Sequence, residues 1–124
     1  MAGTVTITEE LVGNVKKITF AWTCDASGNV SGTGGATTNV YNGAITRLVT
    51  VPAGGGSAPT DQYDVTVLDG DSTDVLMGAG ANRAAAATEQ VLASSLGVVA
   101  NDTLTLNVAN AGNAKSGTVY LYVR

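Results

Sequence analysis

Hydrophobic and polar residues alternate along four stretches of the chain, the pattern of a β-strand that buries one face. In the clearest stretch Ile18, Phe20 and Trp22 share one face, and Thr19 and Ala21 share the other. One buried and one less buried face is typical of antiparallel sheets. The four stretches are Thr4–Thr8, Lys16–Cys24, Thr103–Ala109 and Thr118–Val123.

Weaker β-prone runs lie between these stretches. They are Thr37–Tyr41, Ala44–Val51, Tyr63–Leu68 and Thr73–Met77. Asn42-Gly43 predicts a two-residue hairpin between the first two runs, because both residues tolerate the positive φ of a type I′ turn. Asp69-Gly70-Asp71 predicts a turn between the last two runs.

Three segments do not have this alternation. Ser31–Gly35 and Pro52–Pro59 are rich in glycine or proline and predict surface turns or flexible loops. Arg83–Ser94 contains four consecutive alanines and predicts either a short helix or an ordered loop that leads into a strand at Glu89–Leu92. The pattern as a whole predicts one all-β domain over residues 1–124, a sandwich or barrel of about eight short strands with at most one short helix.

Composition narrows the function classes. The chain has no histidine, so it lacks the commonest general base and the usual zinc ligand, and we expect a protein that is not an enzyme. Its six Lys and Arg are scattered and its net charge is −4, a poor match for nucleic acid. The N-terminus lacks the basic and apolar regions of a signal peptide, and no apolar run reaches bilayer length. We therefore expect synthesis in a cytoplasm and no membrane partner.

Candidate chemical sites are few. Cys24 continues the buried phase of Trp22, which predicts a buried and inert thiol. Asp69, Asp71 and Asp74 form an acidic run, but the glycine and glutamate of an EF-hand loop are missing at the required positions. A solvated turn is the expected structure there, and a calcium site of another kind is the alternative. We expect no cofactor and no metal.

Gly78–Arg83 and Ser31–Gly35 contain the other glycine clusters of interest. The first lacks the third glycine of a dinucleotide-binding fingerprint, and the second lacks the Gly-Lys-Ser/Thr ending of a P-loop. Turns or surface loops are the expected structures in both places.

The remaining candidates are surface residues. Tyr120, Tyr122 and Arg124 lie on the outward phase of the last strand, and Tyr and Arg are enriched at protein–protein contacts. Arg47 and Arg83 are isolated cations in apolar or small-residue surroundings and are further candidate interface anchors. The alternative is that the two tyrosines only cover the second face of the sheet.

Three segments carry a resemblance to a known class of protein. They are Tyr63–Asp71, Val75–Arg83 and Asn110–Arg124. With these turn and strand patterns the chain resembles small virion proteins of tailed bacteriophages, of the type that decorates or cements the capsid exterior.

The resemblance implies an antiparallel β-sandwich of jelly-roll type, a homotrimer, and a position on the virion surface where capsid subunits meet. The implied partner is the major capsid protein, and the implied work is to add buried contacts across capsomer junctions. It supplies no catalytic residues. Two alternatives stay open: a tail or head–tail connector component, and a module that binds carbohydrate on the host surface.

Overall fold

The computed structural model describes residues 3–11 and 13–124, without the side chains of residues 32–34. These described residues form nine β-strands and two short 3₁₀ turns, at Gly55–Ser57 and Ala93–Ser95, and contain no α-helix. The strands are β1 (Thr4–Glu10), β2 (Lys16–Thr23), β3 (Val30–Ala36), β4 (Tyr41–Pro52), β5 (Asp64–Leu68), β6 (Glu89–Leu92), β7 (Val98–Asp102), β8 (Thr105–Ala109) and β9 (Ser116–Val123). The all-β fold is therefore as predicted.

The strands form two antiparallel sheets. The larger sheet has the order β1-β2-β9-β4. The edge of β4 opposite β9 pairs with two short strands, β6 and β7. The smaller sheet has the order β3-β8-β5. From β2 to β5, and again from β7 to β9, successive strands alternate between the sheets, which is the connectivity of a jelly-roll sandwich.

The core lies between the two sheets. Ile18, Phe20 and Trp22 of β2 are almost completely buried, as their alternation predicts. Trp22 packs on Tyr63 with ring centroids 5.6 Å apart. Its indole also lies over Gly117, where an added Cβ would be 2.7 Å from Cζ2. Glycine on β9 therefore makes room for the only tryptophan of the chain.

The four alternating stretches are confirmed as β1, β2, β8 and β9, but the hairpin predicted at Asn42-Gly43 is wrong. Both residues lie inside β4, where the pairing with β7 shifts register between Tyr41 and Gly43. Gly43 has φ of 142°, and a Cβ there would collide with the backbone carbonyl of Arg124. Glycine serves a close approach of two strands here and not a turn.

Two weaker strand predictions are also wrong. Thr37–Val40 connects β3 to β4, because the Thr37 hydroxyl donates to the Asn39 carbonyl and accepts from the Leu104 amide. Thr73–Met77 forms turns with a single bridge between Leu68 and Asp74, and Met77 has a positive φ.

Three glycine-rich or alanine-rich segments differ in outcome. Ser31–Gly35 was expected to be a loop but lies in β3, which pairs with β8 around a bulge. Arg83–Ser94 follows the loop alternative, with the strand at Glu89–Leu92. Residues 53–59 form the expected connection, although Pro52 itself ends β4. Strand β7 has no counterpart among the predicted strands.

Candidate interaction face

The outward side of the larger sheet is the surface that carries most of the candidate residues, and we call it the tyrosine face. Strand pairing places its members in cross-strand rows. One row is Leu92, Arg47, Tyr122, Lys17 and Glu10, and the next is Gln90, Val49, Tyr120, Thr19 and Thr8. Two further rows, towards the N-terminal end of β1, consist of small side chains, among them Val51, Thr118, Ala21 and Thr6.

Each tyrosine on this face has a cation over its ring. Lys17 Nζ lies 4.6 Å from the centroid of the Tyr120 ring, and Arg47 Cζ lies 5.2 Å from that of Tyr122. Such contacts contribute about 0.5–1 kcal/mol at exposed sites. The two pairs therefore favour one arrangement of these four side chains on the sheet.

The arginine is held a second time. Arg47 Nε donates to Gln90 Oε1 at 2.9 Å, across the pairing of β4 with β6. Two exposed aliphatic residues lie on the strands that border β4, Leu92 opposite Arg47 and Val98 opposite Ala44. Leu92 is 73% exposed and Val98 is 66% exposed. This end of the face therefore combines aromatic, cationic and aliphatic groups.

The outward side of the smaller sheet has a different chemistry. Its half-buried or exposed side chains include Ser31, Thr66, Asn107 and Asp64, whose carboxylate accepts from the Asn82 amide and from Asn110 Nδ2. No Lys or Arg belongs to β3, β5 or β8. The two outer sides of the sandwich thus differ in both charge and aromatic content.

Three of the five candidate anchors come together on the tyrosine face. These are Tyr120, Tyr122 and Arg47. Arg124 comes directly after β9; it is exposed, and its backbone is hydrogen-bonded to that of Ala44. Arg83 lies elsewhere, bridged to Tyr63 and in an ion pair of 3.7 Å with Glu89. Sequence reasoning did not single out Lys17, although its position opposite Ile18 in the alternation indicates the outward side.

The other candidate positions have structural partners. Cys24 is buried, as predicted, and its Sγ contacts the Gly112 carbonyl at 2.9 Å and accepts from the Lys115 amide at 3.1 Å. Asp74 points its carboxylate at the amides of its own turn and of β5. Cys24 is shut off from the surface, and the half-buried Asp74 carboxylate already accepts from three backbone amides.

An acidic cluster forms where β5 and β7 end. Carboxylate oxygens of Asp69, Asp71 and Asp102 lie within 4.8 Å of one another, so Asp102 takes the place that the sequence suggested for Asp74. Asp69 Oδ1 already accepts from the Asp71 and Thr73 amides, as in an ordinary Asx turn. The geometry is that of a solvated turn with one additional carboxylate.

An open groove of about 420 Å³ lies towards the threonine-rich end of the tyrosine face. Small residues line most of it, including Thr4, Thr6, Ala21, Ser116 and Thr118. The lining has no acidic or basic side chain, and besides hydroxyl and methyl groups it includes Trp22 and Pro52. The described residues form no helix that is long and apolar enough to span a membrane.

Comparison with known proteins gives no match for the chain among protein-family models, curated proteins or solved structures.

Proposed function

We propose that the chain is a structural virion protein that decorates the exterior of a tailed-bacteriophage capsid by binding the major capsid protein. The observation that carries this proposal is the tyrosine face. It presents the half-buried Tyr120 and Tyr122, each with a cation over its ring, on the outward side of the larger sheet. The protein is then made in the cytoplasm of the bacterial host and ends on the virion surface.

The side chains of the tyrosine face are suited to a protein contact. Binding energy at interfaces is concentrated in a few residues, and Tyr and Arg are enriched among them. Tyr rings bring large contact areas with little loss of side-chain entropy, and here strand pairing and the overlying cations restrict them further. Leu92 and Val98 add exposed aliphatic area beside these anchors.

The sandwich supports the face as a rigid scaffold. The residues that point inward from the same strands, including Leu121 of β9 and Leu48 of β4, are completely buried. A flat contact on one outer side leaves the other sheet and its loops free. We propose that this arrangement serves a homotrimer at capsomer junctions, where each copy adds contact area between neighbouring capsid subunits.

A carbohydrate-binding module is a weaker interpretation of the same face. Sugar recognition of that kind needs an exposed aromatic platform, but the cations of Lys17 and Arg47 each cover one side of a tyrosine ring. A tail or connector component would use the same residues in a protein contact, so only location in the virion separates it from decoration.

The test is binding to capsids assembled from the major capsid protein of the phage that encodes the chain. We expect saturable binding with hundreds of copies per particle, and about tenfold or greater weakening in the double variant Tyr120→Ala/Tyr122→Ala. The matched control is Thr66→Ala/Asn107→Ala on the outward side of the smaller sheet, which leaves binding unchanged. Cosedimentation measures both.

Three results would contradict the proposal. The first is absence of binding, and the second is a stoichiometry of a few copies, which indicates a tail or connector position. The third is equal loss of binding in the two double variants, because a specific contact through the tyrosine face requires them to differ.

A further inference from the structure

The cations of the tyrosine face have no carboxylate partner among the described residues. Among all the described residues, the only ion pair within 4 Å joins Arg83 to Glu89, away from this face. Lys17 has Glu10 as its cross-strand neighbour, yet the two side chains form no such pair. Arg47 uses Nε for Gln90, and its terminal guanidinium nitrogens donate to no acceptor within the described residues. Both charges therefore remain available to a partner.

Charge is unevenly distributed over the molecule. The chain has ten Asp and Glu against six Lys and Arg. The tyrosine face and the end of β9 beside it nevertheless carry the cations Lys17, Arg47 and Arg124 with one carboxylate, Glu10. The remaining carboxylates lie on other surfaces, in part as the cluster of Asp69, Asp71 and Asp102. A net-negative protein thus presents a positive face.

We infer that the partner surface of the tyrosine face is an acidic patch of protein, with carboxylates that meet Lys17 and Arg47 beside apolar groups that meet Leu92 and the tyrosine rings. The inference rests on the proposed function only in taking this face as the binding surface. Guanidinium and carboxylate form charge-assisted hydrogen bonds, and complementary charge steers a partner to one face of an otherwise repelling molecule.

Phosphate of a nucleic acid fits the same face less well. A phosphate backbone is bound by many cations that follow it, and phosphate contacts number about 6–10 in strongly salt-dependent complexes. The face and the adjoining end of β9 together offer three cations and one carboxylate, and the exposed cross-strand neighbour of Arg47 is the aliphatic Leu92. An acidic protein surface supplies both carboxylates and apolar contacts at this spacing.

The test titrates the ¹⁵N-labelled full chain with a short synthetic peptide of alternating Glu and Leu. We expect amide shift changes confined to β2, β4, β6 and β9 on the tyrosine face. These shift changes become smaller as added salt shortens the electrostatic screening length, to about 3 Å near 1 M salt. Lys17→Gln and Arg47→Gln each lower the affinity about two- to fivefold, in line with exposed ion pairs.

Matched controls make the titration specific. Lys115→Gln removes a cation whose Nζ donates to the Gly56 carbonyl away from the face, so it leaves the affinity unchanged. A peptide of alternating Gln and Leu produces no comparable shift changes. The spectrum of each variant without peptide shows whether its fold is intact.

Several outcomes would overturn the inference. They are equal binding of the Gln/Leu peptide, an equal loss in Lys115→Gln, and tighter binding of duplex DNA or polyphosphate at the same residues. Failure of the proposed function is distinguishable from these. If the acidic peptide binds the face but capsids do not, the acidic-partner inference stands and the capsid proposal fails. If capsids bind the chain and also bind the double variant Lys17→Gln/Arg47→Gln equally well, the capsid proposal stands and the acidic-partner inference fails.

Discussion

At the residue scale, the carboxylate of Glu9 links three parts of the chain. Oε1 accepts from the Tyr41 hydroxyl at 2.7 Å and from the Asn39 amide and side chain, and Oε2 accepts from the Thr38 amide. Partial burial by itself would raise the pKa of Glu9, but the hydrogen bonds from Tyr41, Thr38 and Asn39 outweigh it and lower the pKa below the ordinary 4.5. The end of β1 is thus tied to the β3–β4 connection.

The lowered pKa of Glu9 makes stability depend on pH. Near and below pH 4.5 the unfolded chain binds the proton more readily than the folded one, so the free energy of unfolding falls as pH falls through this range. In Glu9→Gln the charge is lost, and a side-chain NH₂ group replaces the oxygen that accepts from the Thr38 amide. We expect this to lower the free energy of unfolding by about 1–2 kcal/mol at neutral pH. We expect the variant to lose less stability than the wild type between pH 6 and pH 3, roughly the range through which the carboxyl titrates.

Urea unfolding at a series of pH values measures this difference. Glu10→Gln is the control, because Glu10 is exposed, lies on the same strand and makes no side-chain hydrogen bond among the described residues. A wild-type pH profile that coincides with that of Glu9→Gln would show that the Glu9 carboxylate does not stabilise the fold.

Two buried tyrosines use their hydroxyls differently. Tyr41 donates to Glu9, and its pKa is raised by burial and by that carboxylate. Tyr63 is fully buried, and neither its hydroxyl nor the neighbouring Thr50 hydroxyl makes a well-formed hydrogen bond among the described residues, which also holds for Trp22 Nε1. Burial raises the pKa of Tyr63, although the Thr50 hydroxyl and Arg83 act in the opposite direction.

The same substitution is therefore expected to have opposite results at the two tyrosines. Tyr41→Phe leaves the Glu9 carboxylate without its shortest hydrogen bond and lowers the free energy of unfolding by about 1–2 kcal/mol. Tyr63→Phe removes a hydroxyl that makes no such bond and is neutral or stabilising. Chemical denaturation compares the two, and a larger loss in Tyr63→Phe would indicate that the Tyr63 hydroxyl is bonded to Thr50 or to an internal water.

At the element scale, the free edge of β5 is covered by an irregular segment. The Val65 amide donates to the Gly80 carbonyl, and the Val75 amide donates to the Val67 carbonyl. The Asp74 carboxylate accepts from three more amides, those of Val67, Leu76 and Gly78. An uncovered edge strand is a template for aggregation, so one aspartate protects an edge and also shapes the turn. This is why the segment near Thr73 is not a strand.

Replacement of Asp74 should therefore destabilise this edge. We expect Asp74→Ala to cost about 2–3 kcal/mol, since three amides lose an ionised acceptor, and to increase aggregation on heating. Asp71→Ala is the control, because the Asp71 side chain is exposed and accepts no hydrogen bond within the described residues. Equal thermal stability and light scattering of the two variants would contradict this role.

At the scale of the whole molecule, both sheets contribute to one hydrophobic core. Trp22 of the larger sheet packs against Tyr63, which precedes β5 of the smaller sheet, and both side chains belong to the same buried cluster. A core shared in this way predicts one cooperative unfolding transition.

The chain has a single tryptophan, so its fluorescence reports the core directly. We expect the midpoint of urea unfolding from Trp22 fluorescence to coincide with that from far-ultraviolet circular dichroism. A separation of the two midpoints would show that unfolding is not one cooperative transition and would contradict a single domain over residues 1–124.

Local sequence determined the fold class and the strands whose two faces differ most. In β2 and β9, alternation alone predicted both the strands and their buried residues, because burial of one face forces a period of two. It did not predict β3 or β7. Ser31–Gly35 has glycine where most strands have β-branched residues, and it is held in β3 by pairing with β8, a partner far away in the sequence.

Tertiary structure decided the content of the tyrosine face and the role of Asn42-Gly43. Alternation placed Tyr120 and Tyr122 outward, but only strand order brought Lys17 from β2 and Arg47 from β4 to their rings and took Arg83 elsewhere. The physical reason is that a cross-strand neighbour is set by which strands pair and in which register, and these depend on the burial of the whole core. A turn-prone dipeptide likewise becomes part of a strand when long-range pairing provides more hydrogen bonds than a local hairpin.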